Sequence, residues 1–264
     1  MKFKVAVTQF EVKKYSPENN LKRAELFIKK AASSKANIIV FPEYFITSSI
    51  EGKKEHIDSE HSYRIYFQNL AKKHKIDIIS GSFIEKEKSK LYNVAYYNDS
   101  KGKIKARYKK INLWLSEKKY LKSGDKVQVF NTKYGKIGLI ICWDLMFPEV
   151  FRKMIKKGVE VIFCPSYWCY KDAGKGINFD KNSEIKLVDS LCVSRAFENE
   201  IILIYCNAGG NKLIGHSQIT VPFKGAIKKL NHRKEEMFIQ EIDTSILKVS
   251  EKSYKIRNDL KKKP

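Results

Sequence analysis

No apolar run in the chain approaches the roughly 18–20 residues that a membrane-spanning helix needs. Cysteines number five, an odd count without regular spacing, which excludes a disulfide framework and fits a reducing cytoplasm. The chain enters a strand-like alternation at once (Lys2-Phe-Lys-Val-Ala-Val-Thr-Gln-Phe10) and lacks the apolar region of a secretory leader, so a cytoplasmic location is expected. Also missing are a Gly-x-Ser-x-Gly elbow, a phosphate loop, a Rossmann glycine fingerprint and a His-Glu-x-x-His helix. Cys164 and Cys169 have no second Cys or His pair at metal-ligand spacing.

Arginine is scarce beside lysine. The formal net charge of +23 comes almost wholly from lysines spread along the chain, often next to Glu or Asp. Readers of nucleic acid lean on arginine forks, and no helix-turn-helix, zinc-finger or RNP-type pattern is present. A nucleic-acid partner is therefore not expected. A lysine-rich solvated surface is, with Lys261-Lys-Lys-Pro264 as a solvated basic end.

What is present is an alternation of apolar strands and amphipathic helices. Lys4 to Phe10 reads as a strand, and Ser16-Pro17-Glu18 opens a helix, with Ser16 as N-cap and Pro17 at the first helical position. Ala36 to Glu43 is a continuous apolar run of the fully buried strand type that ends in Pro42 and a carboxylate. Tyr63 to Lys75 is a second helix, followed by strands Ile76–Gly81, Leu91–Tyr97 and Ile104–Tyr108. A hairpin of Val127–Phe130 with Ile137–Ile141 then delivers Cys142.

After Cys142 the order repeats. Pro148 to Lys157 is a helix stopped by Gly158, Val159 to Cys164 a buried strand, Glu184 to Glu198 a helix and Ile201 to Cys206 a buried strand. A hairpin (Ser217–Val221, Phe223–Lys228) and a strand (Met237–Ile242) close the pattern. Ile38-Ile-Val-Phe-Pro42-Glu43-Tyr-Phe45 and Val161-Ile-Phe-Cys-Pro165-Ser166-Tyr-Trp168 have the same form. Two such halves predict an α/β fold: a four-layer α-β-β-α sandwich of two mixed sheets with a pseudo-twofold internal repeat, forming one domain over 1–264.

In such sheets ligands gather at the C-terminal ends of strands. Glu43, Lys110 and Cys142 sit at or near such ends. A thiol closing a buried strand before a turn and a helix is a place to mount a nucleophile, although a free cysteine is as readily a core residue. Its usual base is histidine. His56, His61, His74 and His232 lie in polar stretches, which leaves His216 as the single candidate for a Cys-His pair. Cys164, Cys192 and Cys206 read as core. Trp114, Tyr167 and Trp168 are pocket walls or core.

The remaining set, Glu-Lys-Cys, carries a family resemblance. Phe41-Pro-Glu43, Tyr108-Lys-Lys110-Ile-Asn-Leu113, Ile141-Cys142-Trp-Asp-Leu-Met-Phe-Pro-Glu149, Ser194-Arg-Ala-Phe-Glu-Asn199, Gly215-His-Ser217 and the tail from Arg257 resemble, in order, the motifs of the nitrilase or carbon–nitrogen hydrolase superfamily. The resemblance implies that Cys142 is the nucleophile and Glu43 the general base. It implies that Lys110 and the Trp143 backbone N–H stabilise the oxyanion, that Glu117 orients the lysine and substrate, and that His216 is structural. By the same account Lys110 draws the nearby thiol toward thiolate, and no metal or organic cofactor is needed.

Asn112, Leu121 and Ser123 depart from the residues common at their places and bear on substrate and packing rather than on mechanism. The polar, glycine-containing loop Cys169–Gly176 is a candidate cover for the pocket, though its composition is not diagnostic. Cys-Trp-Asp with Phe-Pro-Glu resembles the amidase-like branch, so the expected reaction is hydrolysis of a small linear amide or carbamoyl amine by water. Nitrile hydrolysis is the alternative, and a catalytically silent binding protein on the same scaffold the alternative of another class. The resemblance also implies a homodimer or larger assembly, with helices and the 244–264 tail at the interface.

Overall fold

A computed structural model describes residues 1–261; the basic end expected at Lys261–Pro264 lies outside the described residues except for the Lys261 backbone. The first half runs β1 (Lys2–Gln9), α1 (Pro17–Ser33), β2 (Ile38–Val40), α2 (Ser62–His74), β3 (Asp77–Glu87), β4 (Lys90–Asn98) and β5 (Ile104–Lys109). The second runs β6 (Gln128–Thr132), β7 (Gly135–Leu139), α3 (Pro148–Lys156), β8 (Val161–Ser166), α4 (Ser183–Asn199), β9 (Ile202–Asn207), β10 (Gln218–Val221) and β11 (Gly225–Lys229). The chain then returns through β12 (Glu236–Asp243) and the helices α5 (Ser245–Tyr254) and α6 (Ile256–Lys261). Among the described residues no helix is long and apolar enough to cross a membrane.

The strands form two mixed six-stranded sheets, ordered β12-β1-β2-β3-β4-β5 and β11-β10-β9-β8-β7-β6. Each has a parallel centre (β1-β2-β3 and β7-β8-β9) flanked by antiparallel strands. The period-2 alternation of a strand explains the layering. Val5 and Val7 of β1 face the second sheet and pack with Leu139, Phe163 and Ile204. Ala6 between them faces outward, in one cluster with Ala24 and Ile28 of α1 and Phe67 and Leu70 of α2. On the far side α3 and α4 cover the second sheet through Phe151, Met154, Val188 and Cys192. The expected four-layer sandwich and its internal repeat are thus the architecture of the protein.

Two local readings are corrected. Ser16 makes no side-chain cap bond; its carbonyl instead accepts the first helical bond, from the Asn20 N–H at 3.1 Å. The strand read as ending at Gly81 continues to Glu87, because Gly81 takes a left-handed φ of +62° at a register shift and the chain then resumes pairing with β4. The tail is helical: Arg257 of α6 donates to the carbonyls of Val159 (2.8 Å) and Glu200 (2.7 Å), fastening the last helix beside the start of β8 and the end of α4.

Gly81 also lies directly under the turn that carries Glu43. A Cβ there would stand 2.0 Å from the Pro42 carbonyl oxygen. Gly81→Ala is therefore expected to cost more than about 1 kcal/mol, a fall in Tm of roughly 2–4 °C or more. It also displaces Glu43. Thermal unfolding followed by circular dichroism checks the first outcome, and an unchanged Tm would contradict it.

Candidate active site

Three chain segments meet where the strands end. Pro42 and Glu43 leave β2, and the Tyr44 N–H donates to Ser82 O at 2.9 Å, so β3 holds the turn. Lys110 follows β5; its N–H donates to Asn93 O at 2.9 Å and its carbonyl accepts the Gly124 N–H at 2.8 Å. Gly124 must be glycine for that approach, since a Cβ would lie 2.3 Å from Lys109 O. Cys142 follows β7 and opens a 3-10 turn that ends at Met146.

Cys142 has φ +45°, a left-handed conformation that costs a non-glycine residue of order 1–3 kcal/mol. Asp144 holds it there. Its Oδ2 accepts the Ile141 N–H (3.0 Å) and the Tyr108 hydroxyl (2.7 Å), while its Oδ1 accepts the Asn112 backbone N–H (2.8 Å) and side-chain Nδ2 (2.9 Å). Burial pushes the Asp144 carboxyl above the usual aspartate range, and those donors work against that rise. One buried carboxylate thus ties the thiol's turn to the strand that carries Lys110.

The reactive cluster is compact and dry. Lys110 Nζ lies 2.9 Å from Glu43 Oε1 and 2.8 Å from Glu117 Oε2, and all three side chains are at most 4% exposed. Glu117 also accepts from the Tyr44 hydroxyl and from the Trp114 N–H at 2.7 Å. The Asn93 amide donates to Glu43 Oε1 at 2.8 Å and to Glu117 Oε1 at 3.1 Å. The Cys142 thiol faces the Glu43 carboxyl. All four residues expected to form the reactive set therefore converge on one point.

Burial opposes the Lys110 charge, but Glu117, Glu43 and Cys142 overcome it and hold the ammonium well above its ordinary pKa. Burial likewise opposes the Glu117 charge, but Lys110, Tyr44 and the Trp114 N–H keep its carboxyl below the usual range. Glu43 goes the other way: burial raises it, Lys110 pulls it down, and Glu117 pushes it up again. A neighbouring cation was expected to draw Cys142 toward thiolate. Burial first, and the Glu43 charge second, outweigh Lys110 and push the thiol well above its ordinary pKa. These surroundings favour the neutral thiol over the thiolate.

The cluster forms the floor of a cleft of about 310 Å³. Trp114, Trp143, Tyr167 and Trp168 all line it, with Trp114 and Trp143 edge to face at 4.3 Å between ring centroids. Trp168 is also core, 1% exposed, its Nε1 donating to Glu184 at 2.5 Å. Cys169 and Asp172 bring the glycine-containing loop into the wall, where burial lifts Asp172 to about 6. At the mouth stand Lys14, paired with Glu51 at 3.7 Å, and Lys212, for which no ion pair is found among the described residues. His216 lies elsewhere, its Nδ1 3.5 Å from Asp189, so among the described residues it does not pair with Cys142. Asn93, Tyr44 and Lys212 were missed by sequence reasoning. The one signal for Asn93 was a polar residue within the apolar run Leu91–Tyr97.

Residues 4–249 match the family model described as carbon–nitrogen hydrolase. A curated relative, 2-oxoglutaramate amidase of Bacillus subtilis, is 30% identical over 99% of both chains. A probable nitrilase of Schizosaccharomyces pombe is 31% identical over 96% of this chain and 93% of its own. A carbon–nitrogen hydrolase from Helicobacter pylori superposes with a TM-score of 0.90 at 23% identity, covering 98% of this chain and 94% of that one, and so shares the fold.

Access separates the cysteines: Cys142 is 8% exposed at the cleft floor, whereas Cys164, Cys192 and Cys206 are 0% exposed. Iodoacetamide followed by peptide mass mapping is expected to modify Cys142 well before those three. Equal, slow labelling of all four would contradict the site.

Proposed function

The chain belongs to the carbon–nitrogen hydrolase family, and we propose that it is an amidase acting through a Cys142 thioester, with Glu43, Lys110 and Glu117 as its other working groups. Glu43 takes the thiol proton as the sulfur attacks the amide carbonyl carbon. The resulting oxyanion lies against the Lys110 ammonium and the Trp143 backbone N–H, and preorganised charge of this kind is usually the largest single contribution to rate. Glu43 then gives the proton to the departing nitrogen, and ammonia or an amine leaves. A water molecule, deprotonated by Glu43, attacks the thioester; the thiol recovers its proton and a carboxylate product departs. The raised pKa of Glu43 suits a group that both accepts and returns a proton.

One observation carries this reading: a buried lysine ammonium fixed between two carboxylates beside a buried thiol, at the floor of an aromatic cleft. Glu117 keeps Lys110 charged and aimed. For the substrate, the cleft accommodates a short linear acyl group, and the Lys212 ammonium at its mouth matches an acyl chain whose far end is a carboxylate. The 2-oxoglutaramate amidase relative, whose named substrate has that form, supports the same choice.

The protein is further read as a homo-oligomer whose 244–264 segment and covering helices form the contact. Val193, Phe223, Val249 and Tyr254, all more than a third exposed, supply apolar surface on that side.

Ammonia release from a panel of neutral amides, carbamoyl amines, carboxylate-bearing amides and nitriles tests the reaction. Turnover of carboxylate-bearing amides is expected, abolished in Cys142→Ala and lowered roughly 10²–10⁴-fold in Glu43→Gln. Lys212→Ala is expected to raise KM for acidic amides about tenfold, the worth of one charge-assisted hydrogen bond of ~1.5 kcal/mol. Turnover of nitriles alone would replace the amidase reading. No turnover of any class would favour a silent scaffold.

A further inference from the structure

We propose that Asn93 is a positioning residue: its side-chain amide selects which Glu43 oxygen serves as the base and fixes Glu43 and Glu117 around Lys110. The inference rests on the catalytic reading above.

Asn93 lies on β4 and is 1% exposed. Its side chain reaches both carboxylates of the cluster, and its backbone holds the Lys110 backbone. Its carbonyl accepts the Lys110 backbone N–H at 2.9 Å, and its Nδ2 donates to Glu43 Oε1 at 2.8 Å and to Glu117 Oε1 at 3.1 Å. A primary amide has two N–H donors on one nitrogen. Here each goes to a different carboxylate. A hydroxyl could supply one, and a carboxylate none.

Glu43 Oε1 accepts both Asn93 and Lys110, the latter at 2.9 Å. Among the described residues Glu43 Oε2 accepts neither bond, which leaves it as the oxygen for the thiol proton. The amide cannot sit the other way round, because its oxygen would then face two carboxylate oxygens. In the orientation observed, Asn93 Oδ1 is buried without a partner among the described residues. Such groups are uncommon in native folds and call for a reason. Donation to two carboxylates at once is the reason that this geometry supplies.

The charged and titratable groups around Glu43 come from several elements. Lys110, Glu117 and Cys142 act on it directly. Farther out, Tyr44, Tyr120, Tyr167, Cys164 and Cys169 are each influenced by its charge. Asn93 is the neutral side chain that donates to both carboxylates. Its N–H groups stabilise the ionised carboxylates, so their loss makes Glu43 harder to ionise, and an added anion makes it harder still.

The test reads the pH dependence of Cys142 alkylation by iodoacetamide in wild type, Asn93→Asp and Asn93→Ala, together with kcat and KM on the preferred amide. In both variants the acidic limb of alkylation is expected to move about one unit or more to higher pH, the larger move in Asn93→Asp. The same loss is expected to lower kcat about 10–100-fold while KM stays within about threefold, since the group lost acts on the chemical step. If Asn93→Asp does not fold, Asn93→Ala carries the test. Wild-type limbs and kcat in a variant that has lost only thermal stability would overturn the proposal. Alkylation needs no substrate. A shifted limb in a protein that turns over no amide would leave Asn93 in its role and remove the amidase reading instead.

Discussion

The site depends on one constraint: a lysine ammonium buried at the meeting of two sheets must be neutralised where it stands. An isolated charge there would be costly, and removing one partner of a buried pair typically costs about 3–5 kcal/mol. Glu43 and Glu117 both contact Lys110 within 2.9 Å. Two carboxylates for one ammonium leave a net negative cluster, and that excess explains the titration order. Burial opposes both charges, but Lys110, Tyr44 and the Trp114 N–H keep Glu117 below the usual carboxylate range, whereas burial, with Glu117 adding to it against Lys110, holds Glu43 above that range. Burial first, and the Glu43 charge second, raise the Cys142 thiol against the pull of Lys110.

The fold serves this cluster by stopping strands at chosen places. β2, β5 and β7 each end shortly before a residue of the cluster, and the chain beyond each is fixed by bonds to its neighbours. Gly81 gives β3 room beneath Pro42 and Gly124 gives the following loop room against Lys109. Asp144 locks the left-handed Cys142 turn onto Tyr108 and Asn112. Asn112, where another residue is common among the proteins this chain resembles, donates twice to Asp144, so the departure is absorbed in the support of the turn.

Glu43, Lys110, Glu117 and Cys142 were legible in the sequence because each lies inside a local motif beside an apolar strand. The layering was legible because strands buried on both faces read as continuous apolar runs. Other features arise only from contacts between distant segments. Asn93 reaches Glu43 across 50 positions, and Tyr44 reaches Glu117 across 73. The thiol's protonation was misread because one nearby cation is visible in a motif, while burial is the sum of many neighbours. Gly81 was read as a strand end, since glycine signals both a break and a bulge until a pairing partner decides between them. The tail helices α5 and α6 are separated by Lys255 at φ +55°, which has no distinct sequence signal, and the motif residue Arg257 fastens α6 through contacts to distant carbonyls that its motif does not disclose.

The central claim is that the Lys110 charge, placed by two carboxylates, stabilises the oxyanion formed when Cys142 attacks. Its most direct test is the rate of Cys142 acylation in Lys110→Met, followed by intact-protein mass spectrometry in single-turnover mixing with the preferred amide. The account predicts a folded protein whose acylation is slower by roughly 10³-fold or more, in line with loss of an oxyanion-stabilising group. Acylation of folded Lys110→Met within about tenfold of wild type would contradict it, because a loss that small is far below what such a group supplies.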